Sequence, residues 1–191
     1  TFVHLNAATN LEYDVNNSKQ RLVKLSGEAF FDVAKNPDCP FKVIINDLQI
    51  EVVGTSFNVK TYKKDIVETS LLSGRIRISG GSLPHEYTLS PGQKATYSAM
   101  DRTLRISKAD AHVEAGWRDN YLIFESTPLI DVIAQIERWY GVEIRLHHKQ
   151  IAQDLLSGSF RNESIQNVIR SLSIQYLSLI HISEPTRLRC I

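Results

Sequence analysis

Apolar and polar residues alternate in short runs over the first hundred or so positions of the chain. "RLVKLSG", "EAFFDVA", "FKVII", "LQIEVVG", "TSFNVKTY", "RIRIS" and "TLRIS" are rich in Val, Ile, Phe and Tyr, the composition of half-buried strands. In "RIRIS", Ile76 and Ile78 share one face while Arg75 and Arg77 share the other, as a period of two requires. Turn signals separate the runs: "VNNSK", "KNPD", "IND", "SGGSLP" and "SPGQ". In the last, Pro91 presets φ and Gly92 accepts a positive one, which predicts a type II turn. Many short strands without intervening helices predict an all-β domain over residues 1–108, whether sandwich, barrel or solenoid.

The period changes after Trp117. "YLIFES" reads as a strand, and "TPLIDVIAQIERWYG" as a helix. Thr127 is placed to cap it, Pro128 to occupy its first position and Gly141 to close it. Leu129, Val132, Ile133, Ile136 and Tyr140 fall on one face at helical spacing. Strands "VEIRL" and "LLSGSF" follow, then a second amphipathic helix near 163–172 carrying Ile165, Val168, Ile169 and Leu172. The order β-α-β-β-α is a small α/β module over 121–176, joined to the β domain by a link at 109–120. Two helices on three strands leave part of the layer uncovered, so the module reads as truncated, with an exposed edge and lower stability than the β domain.

Composition narrows the class. The chain has 191 residues, 42% hydrophobic and 23% charged, a globular balance. A net charge of +1 argues against nucleic-acid binding by bulk charge. No apolar run is long enough to span a bilayer and no signal peptide is visible. The first residue is Thr1, within a strand-like "TFVHLNA", so the chain reads as beginning inside a longer protein.

Candidate chemistry is sparse. His147 and His148 point to opposite faces if extended and lack a third ligand at metal spacing. His4, His85 and His112 read as solvent-facing. "GTSFN" lacks the second glycine of a nucleophile elbow; Gly54 reads as a bend and Phe57 as core. Cys39 reads as a turn residue without a His partner. Glu28 and Asp32 lie on one strand face and could serve acid–base work, but a salt bridge to Arg21 and Lys24 across a hairpin is more economical. No catalytic, cofactor or metal residue is assigned. Trp117, at the junction, reads as packing or as an aromatic anchor.

"RLVKLSGEAFFDVAKNPDCPFKV", "VVGTSFNVKTY", "LLSGRIRI" and "LSPGQKATY" follow "VHLNAATNLEYD" in order. Together they resemble the periplasmic region of FecR-type anti-sigma regulators. "LIFESTPLIDVIAQIERWYGVEI" and "SGSFRNESIQNVIRSLS" resemble the domain that follows it, itself similar to the short N-terminal signalling domain of secretins and TonB-dependent receptors. The resemblance implies the periplasmic part of a single-pass inner-membrane protein, whose membrane helix and sigma-binding segment are absent here. It implies that a TonB-dependent outer-membrane transducer touches this part through its signalling domain. An extracytoplasmic-function sigma factor then responds, and genes for uptake of iron chelates or glycans are transcribed. No enzymatic activity is implied.

Edge geometry puts the candidate partner surface at Phe124, Glu125, Ser126, Thr127, Trp139, Ser157, Gly158, Ser159 and Phe160, with strand addition as the route. The alternative is a free-standing glycan- or small-ligand-binding β domain, for which Tyr62, Tyr87 and Tyr97 are candidate aromatics. The tail breaks the pattern. "LSLIHISEPTR" resembles the translation, in one frame, of a transposase adapter used to prepare sequencing libraries. Residues 177–191 therefore read as non-native, and without them the charges balance.

Overall fold

The computed structural model describes residues 1–13, 21–146, 149–175 and 180–183, so His147 and His148 lie outside the described residues. The chain divides into two compact units, Thr1–Arg118 and Asp119–Ile191.

The first unit is built of β1 (Phe2–Leu5), β2 (Asn10–Tyr13), β3 (Arg21–Ser26), β4 (Glu28–Asp32), β5 (Phe41–Ile45) and β6 (Leu48–Val52). It continues with β7 (Ser56–Lys60), β8 (Ile66–Ser73), β9 (Ile76–Gly80), β10 (Tyr87–Leu89), β11 (Gln93–Ser98) and β12 (Thr103–Lys108). Two six-stranded sheets result, in orders β1-β4-β7-β8-β11-β12 and β10-β9-β6-β5-β3-β2. Every pair is antiparallel except β3 with β5. Both sheets contribute alternate residues to one core: Phe31, Phe57, Val59 and Leu71 from the first, Val43, Ile50, Ile76 and Ile78 from the second. The architecture is a sandwich, not a closed barrel. Phe31 stacks on Phe57 with ring centroids 5.0 Å apart, a geometry worth about 0.5–1.5 kcal/mol beyond the area buried.

The expected hairpin between β3 and β4 is instead a crossing from one sheet to the other. Gly27 makes that corner with φ +114°, where a Cβ would lie 2.5 Å from Thr9 Oγ1. Gly54 is a close approach: a Cβ there would meet the Lys35 backbone at 2.7 Å. The turn at Pro91 is type II as expected, with Gly92 at φ +79° and the Gln93 amide donating to the Ser90 carbonyl. The longest strand of the unit, β8, lies in a stretch the hydrophobic pattern did not single out. Its Thr69 and Ser70 are polar yet 1% and 2% exposed, which breaks the alternation.

Residues after β12 do not leave the unit. Asp110 caps α1 (Ala111–Ala115) by accepting from the His112 amide, and a 3-10 turn follows at Gly116–Asp119. Ala115 and Trp117 are buried. The stretch read as a link is thus largely built into the β unit up to Arg118.

The second unit comprises β13 (Tyr121–Pro128), α2 (Leu129–Tyr140), β14 (Glu143–Leu146), a 3-10 turn (Lys149–Gln153), β15 (Leu155–Arg161), α3 (Ile165–Gln175) and β16 (Ile180–Ser183). α2 buries Leu129, Val132, Ile133 and Ile136, and α3 buries Val168 and Leu172, around Leu122, Phe124, Ile144 and Leu156. Gly141 closes α2 at φ +64°, its amide bonded to the Glu137 carbonyl. The start of α2 differs from expectation. Thr127 makes no cap; its hydroxyl donates to the Glu125 carbonyl. Pro128 is still in β13, opposite Leu155, and the Leu129 amide donates to the Asp154 carbonyl. Strand pairing held to the last residue takes the position a side-chain cap would need.

β13 pairs with β15, and β14 with β16, all antiparallel. β16 adds a sixth element to the predicted order, at the place where the layer called for one. Ile180, His181, Ile182 and Ser183 alternate, which is enough to pair with an open strand whatever their origin.

Candidate functional site

Two places could carry function: the paired carboxylates of the β unit and the β13–β15 ribbon. At the first, Glu28 and Asp32 stand four residues apart on a regular strand, roughly 13 Å by strand rise. Glycosidase carboxyl pairs need about 5–9.5 Å. Their surroundings also differ. Asp32 is exposed and accepts from Ser56 Oγ at 2.8 Å. Glu28 is 5% exposed, with Oε2 accepting from Asn6 Nδ2 at 2.7 Å and Oε1 from Asn58 Nδ2 at 2.9 Å. Burial raises its pKa, against the opposing pull of Lys60 and of the two amides. Neither carboxylate meets Arg21 or Lys24, because β3 belongs to the other sheet. Arg21 instead donates to the carbonyls of Cys39, Ala34 and Asn36, so the expected cross-strand salt bridge is replaced by a turn clamp. Cys39 sits in that turn, its amide bonded to Asn36 Oδ1.

The other motif residues fall where structure alone uses them. Phe57 is in the core, and Ser56 holds Asp32. His4, His85 and His112 are exposed. Among the described residues, no group of three His, Cys, Asp or Glu could hold a metal ion. The three tyrosines do not form one exposed row. Tyr97 is 4% exposed, and its hydroxyl donates to the Gly81 carbonyl. Tyr62 bonds the Ala7 carbonyl, and Tyr87 stacks on His85 at 4.4 Å.

At the ribbon, β13 and β15 bring Phe124–Thr127 beside Ser157–Phe160. Phe124 opposes Gly158 and Thr127 opposes Leu156, with a register shift between Phe124 and Thr127. Ser126, at φ +45°, absorbs that shift, and its amide donates to Ser157 Oγ at 2.8 Å. Neither strand has a second strand neighbour among the described residues. A Cβ at Gly158 would meet nothing within 4 Å, so the backbone there is open. Glu125, Ser126, Ser157, Gly158 and Ser159 are exposed. Phe124 is not: it is 2% exposed and lies edge-on to Phe160, inside the module's core. Trp139 is half-buried on α2 against the same core. A shallow hollow of about 370 Å³ beside the ribbon is lined by Ser159, Phe160, Glu163, Asn167, Arg170 and Ser171.

Such a ribbon can offer backbone groups and small polar side chains to a partner, while the carboxylate site is a buried structural network. Two family models match the chain: "FecR protein" over residues 1–77 and "FecR, C-terminal" over residues 121–182. The 1.65 Å crystal structure of a candidate anti-sigma factor from Parabacteroides distasonis ATCC 8503 is similar. It is 27% identical, with a TM-score of 0.81, over 96% of this chain and 90% of that one. A 2.50 Å crystal structure of a candidate anti-sigma factor from the same organism gives 27% and 0.80 over the same shares. No curated protein matches. The chain belongs to the FecR family, a family of regulators rather than catalysts. No helix among the described residues is long and apolar enough to cross a membrane.

Proposed function

We propose that this chain is the periplasmic sensing part of a transmembrane anti-sigma factor. It relays a signal from the signalling domain of a TonB-dependent outer-membrane transducer to an extracytoplasmic-function sigma factor, which controls uptake of iron chelates or glycans. The observation that carries the reading is the open β13–β15 ribbon within the FecR C-terminal unit. Its exposed Ser157, Gly158 and Ser159 leave backbone donors and acceptors accessible for strand addition. Trp139, at the end of α2, supplies an aromatic anchor, and Phe124 supports the ribbon from beneath. Titration of the chain with the signalling domain of a TonB-dependent receptor encoded at the same locus tests this. Trp139→Ala weakens binding by about tenfold or more if it anchors the contact; unchanged affinity removes Trp139 from the surface. No binding by the unsubstituted chain sinks the partner assignment.

Residues 177–191 stand outside this role, as adapter-derived sequence. β16 then marks the position a native strand would fill. A long read of the source locus, expected to give other codons after Tyr176, decides it.

A further inference from the structure

Two chains of side-chain contacts run through β4 and join the same pair of segments. One is polar. Trp117 Nε1 donates to Asn58 Oδ1 at 3.3 Å, Asn58 Nδ2 donates to Glu28 Oε1, and Asn6 Nδ2 donates to Glu28 Oε2. The other is aromatic. The Arg118 guanidinium lies 3.6 Å from the centroid of the Phe30 ring, and His4 meets the same ring edge-on at 6.3 Å. Each begins in segment 111–118, the last part of the β unit, and ends at β1 or the residue after it. We infer that these contacts form a coupler, by which the docking of segment 111–118 sets how firmly the first strand is seated.

The polar chain has a fixed sense. Asn58 can accept from Trp117 only while its amide nitrogen faces Glu28. A flip would set its nitrogen against the indole N–H and its oxygen against a carboxylate. Asn58 is 2% exposed, Glu28 5% and Trp117 9%, so no solvent stands ready to replace a lost partner, and a half-satisfied buried network is costly. Removing the indole donor leaves the buried Asn58 Oδ1 without that partner, loosens the amide that donates to Glu28, and so slackens the carboxylate that holds Asn6. Asn6 also fixes the end of β1 through its amide, which donates to the Glu28 carbonyl at 2.9 Å. Segment 111–118 is also anchored by Lys94 Nζ on Glu114 Oε1 at 2.7 Å, with Glu68 at 3.5 Å.

β1 and segment 111–118 are the first and last parts of the β unit in chain order. A load on the segment that leads toward the C-terminal unit therefore reaches the strand at the other end of the chain path. Only the meaning of that direction rests on the proposed function; the linkage does not.

Amide hydrogen exchange on the whole chain tests it. Trp117→Phe keeps the ring and deletes the donor. It should speed exchange at the Asn6 amide and through β1 on the order of fivefold or more, and linkage requires the reverse effect too. Asn6→Ala should speed the amides of residues 112–117 comparably, while the β9–β10 pair of the other sheet stays within about twofold. Changes confined to the substituted segment overturn the coupler, as does an equal rise across the whole β unit. Either result leaves the receptor titration untouched, and a failed titration leaves this one untouched.

Discussion

The two units solve the problem of burying a sheet in different ways. In the β unit two broad sheets face each other, so every strand's inner residues meet a partner sheet and one continuous core forms. Among the described residues of the α/β unit the strands pair only two by two, and α2 and α3 supply Leu129, Val132, Ile133, Ile136, Val168 and Leu172 to the core. The first arrangement leaves room to bury polar groups such as Thr69 and Ser70, and Glu28 and Asn58 with partners in place. The second leaves strand backbone open on one side, which is what an interaction surface needs and what a stable core avoids. A continuous two-sheet core and an open strand pair thus fall in different halves of the chain.

The sharpest test of that contrast is a pair of core truncations. Phe57→Ala, at a fully buried ring stacked on Phe31, should destabilise the β unit by about 3–5 kcal/mol; Ile136→Ala should cost the α/β unit about 2–5 kcal/mol. Denaturant unfolding followed by exchange at each unit should place each loss in its own unit. Equal loss of protection in both units from either change would mean that they unfold as one.

A second test uses pH. Burial raises the Glu28 pKa above its ordinary value near 4.5, so the folded state holds this proton more tightly than the unfolded chain. The sign follows: stability from this group is fully present below that ordinary value and is lost as pH rises through the raised one. Glu28→Gln should flatten that part of the pH–stability curve for the β unit. A curve with unchanged slope would show that Glu28 does not titrate across that window.

The smallest effect is expected on the outer face of the second sheet. There Lys42 reaches Glu51 at 3.4 Å, and Arg77 pairs with the same carboxylate. Surface pairs of this kind contribute about 0–1 kcal/mol, and Arg77 still pairs Glu51 when Lys42 is lost, so Lys42→Ala should shift the unfolding midpoint slightly, and less in high salt. A loss as large as that of Phe57→Ala would mean that this face is covered.

Much of this was legible in the chain itself. Alternation placed Ile76 and Ile78 inside and Arg77 outside, because a strand's side chains can only alternate. Helical spacing identified the buried face of α2, and Gly141 marked its end, because a left-handed residue there favours glycine. The quoted motifs were enough to indicate the FecR family. The ribbon residues were named from strand order, but not which of them face solvent. Phe124 turned inward because residues two apart on β13 share the core with Leu122.

What the sequence could not decide is everything that depends on which strands become neighbours. Whether β3 and β4 form a hairpin or cross between sheets rests on a corner at Gly27 and on Thr9 closing over it. That crossing decided the fate of Glu28, from a surface ion pair to a buried acceptor of two amides. It also decided the place of Trp117, whose partner Asn58 lies 59 positions earlier. Periodicity is a property of adjacent residues and survives in the sequence. Contacts across tens of residues are fixed only when the sheets close on one another, and the buried network and the open ribbon are both of that kind.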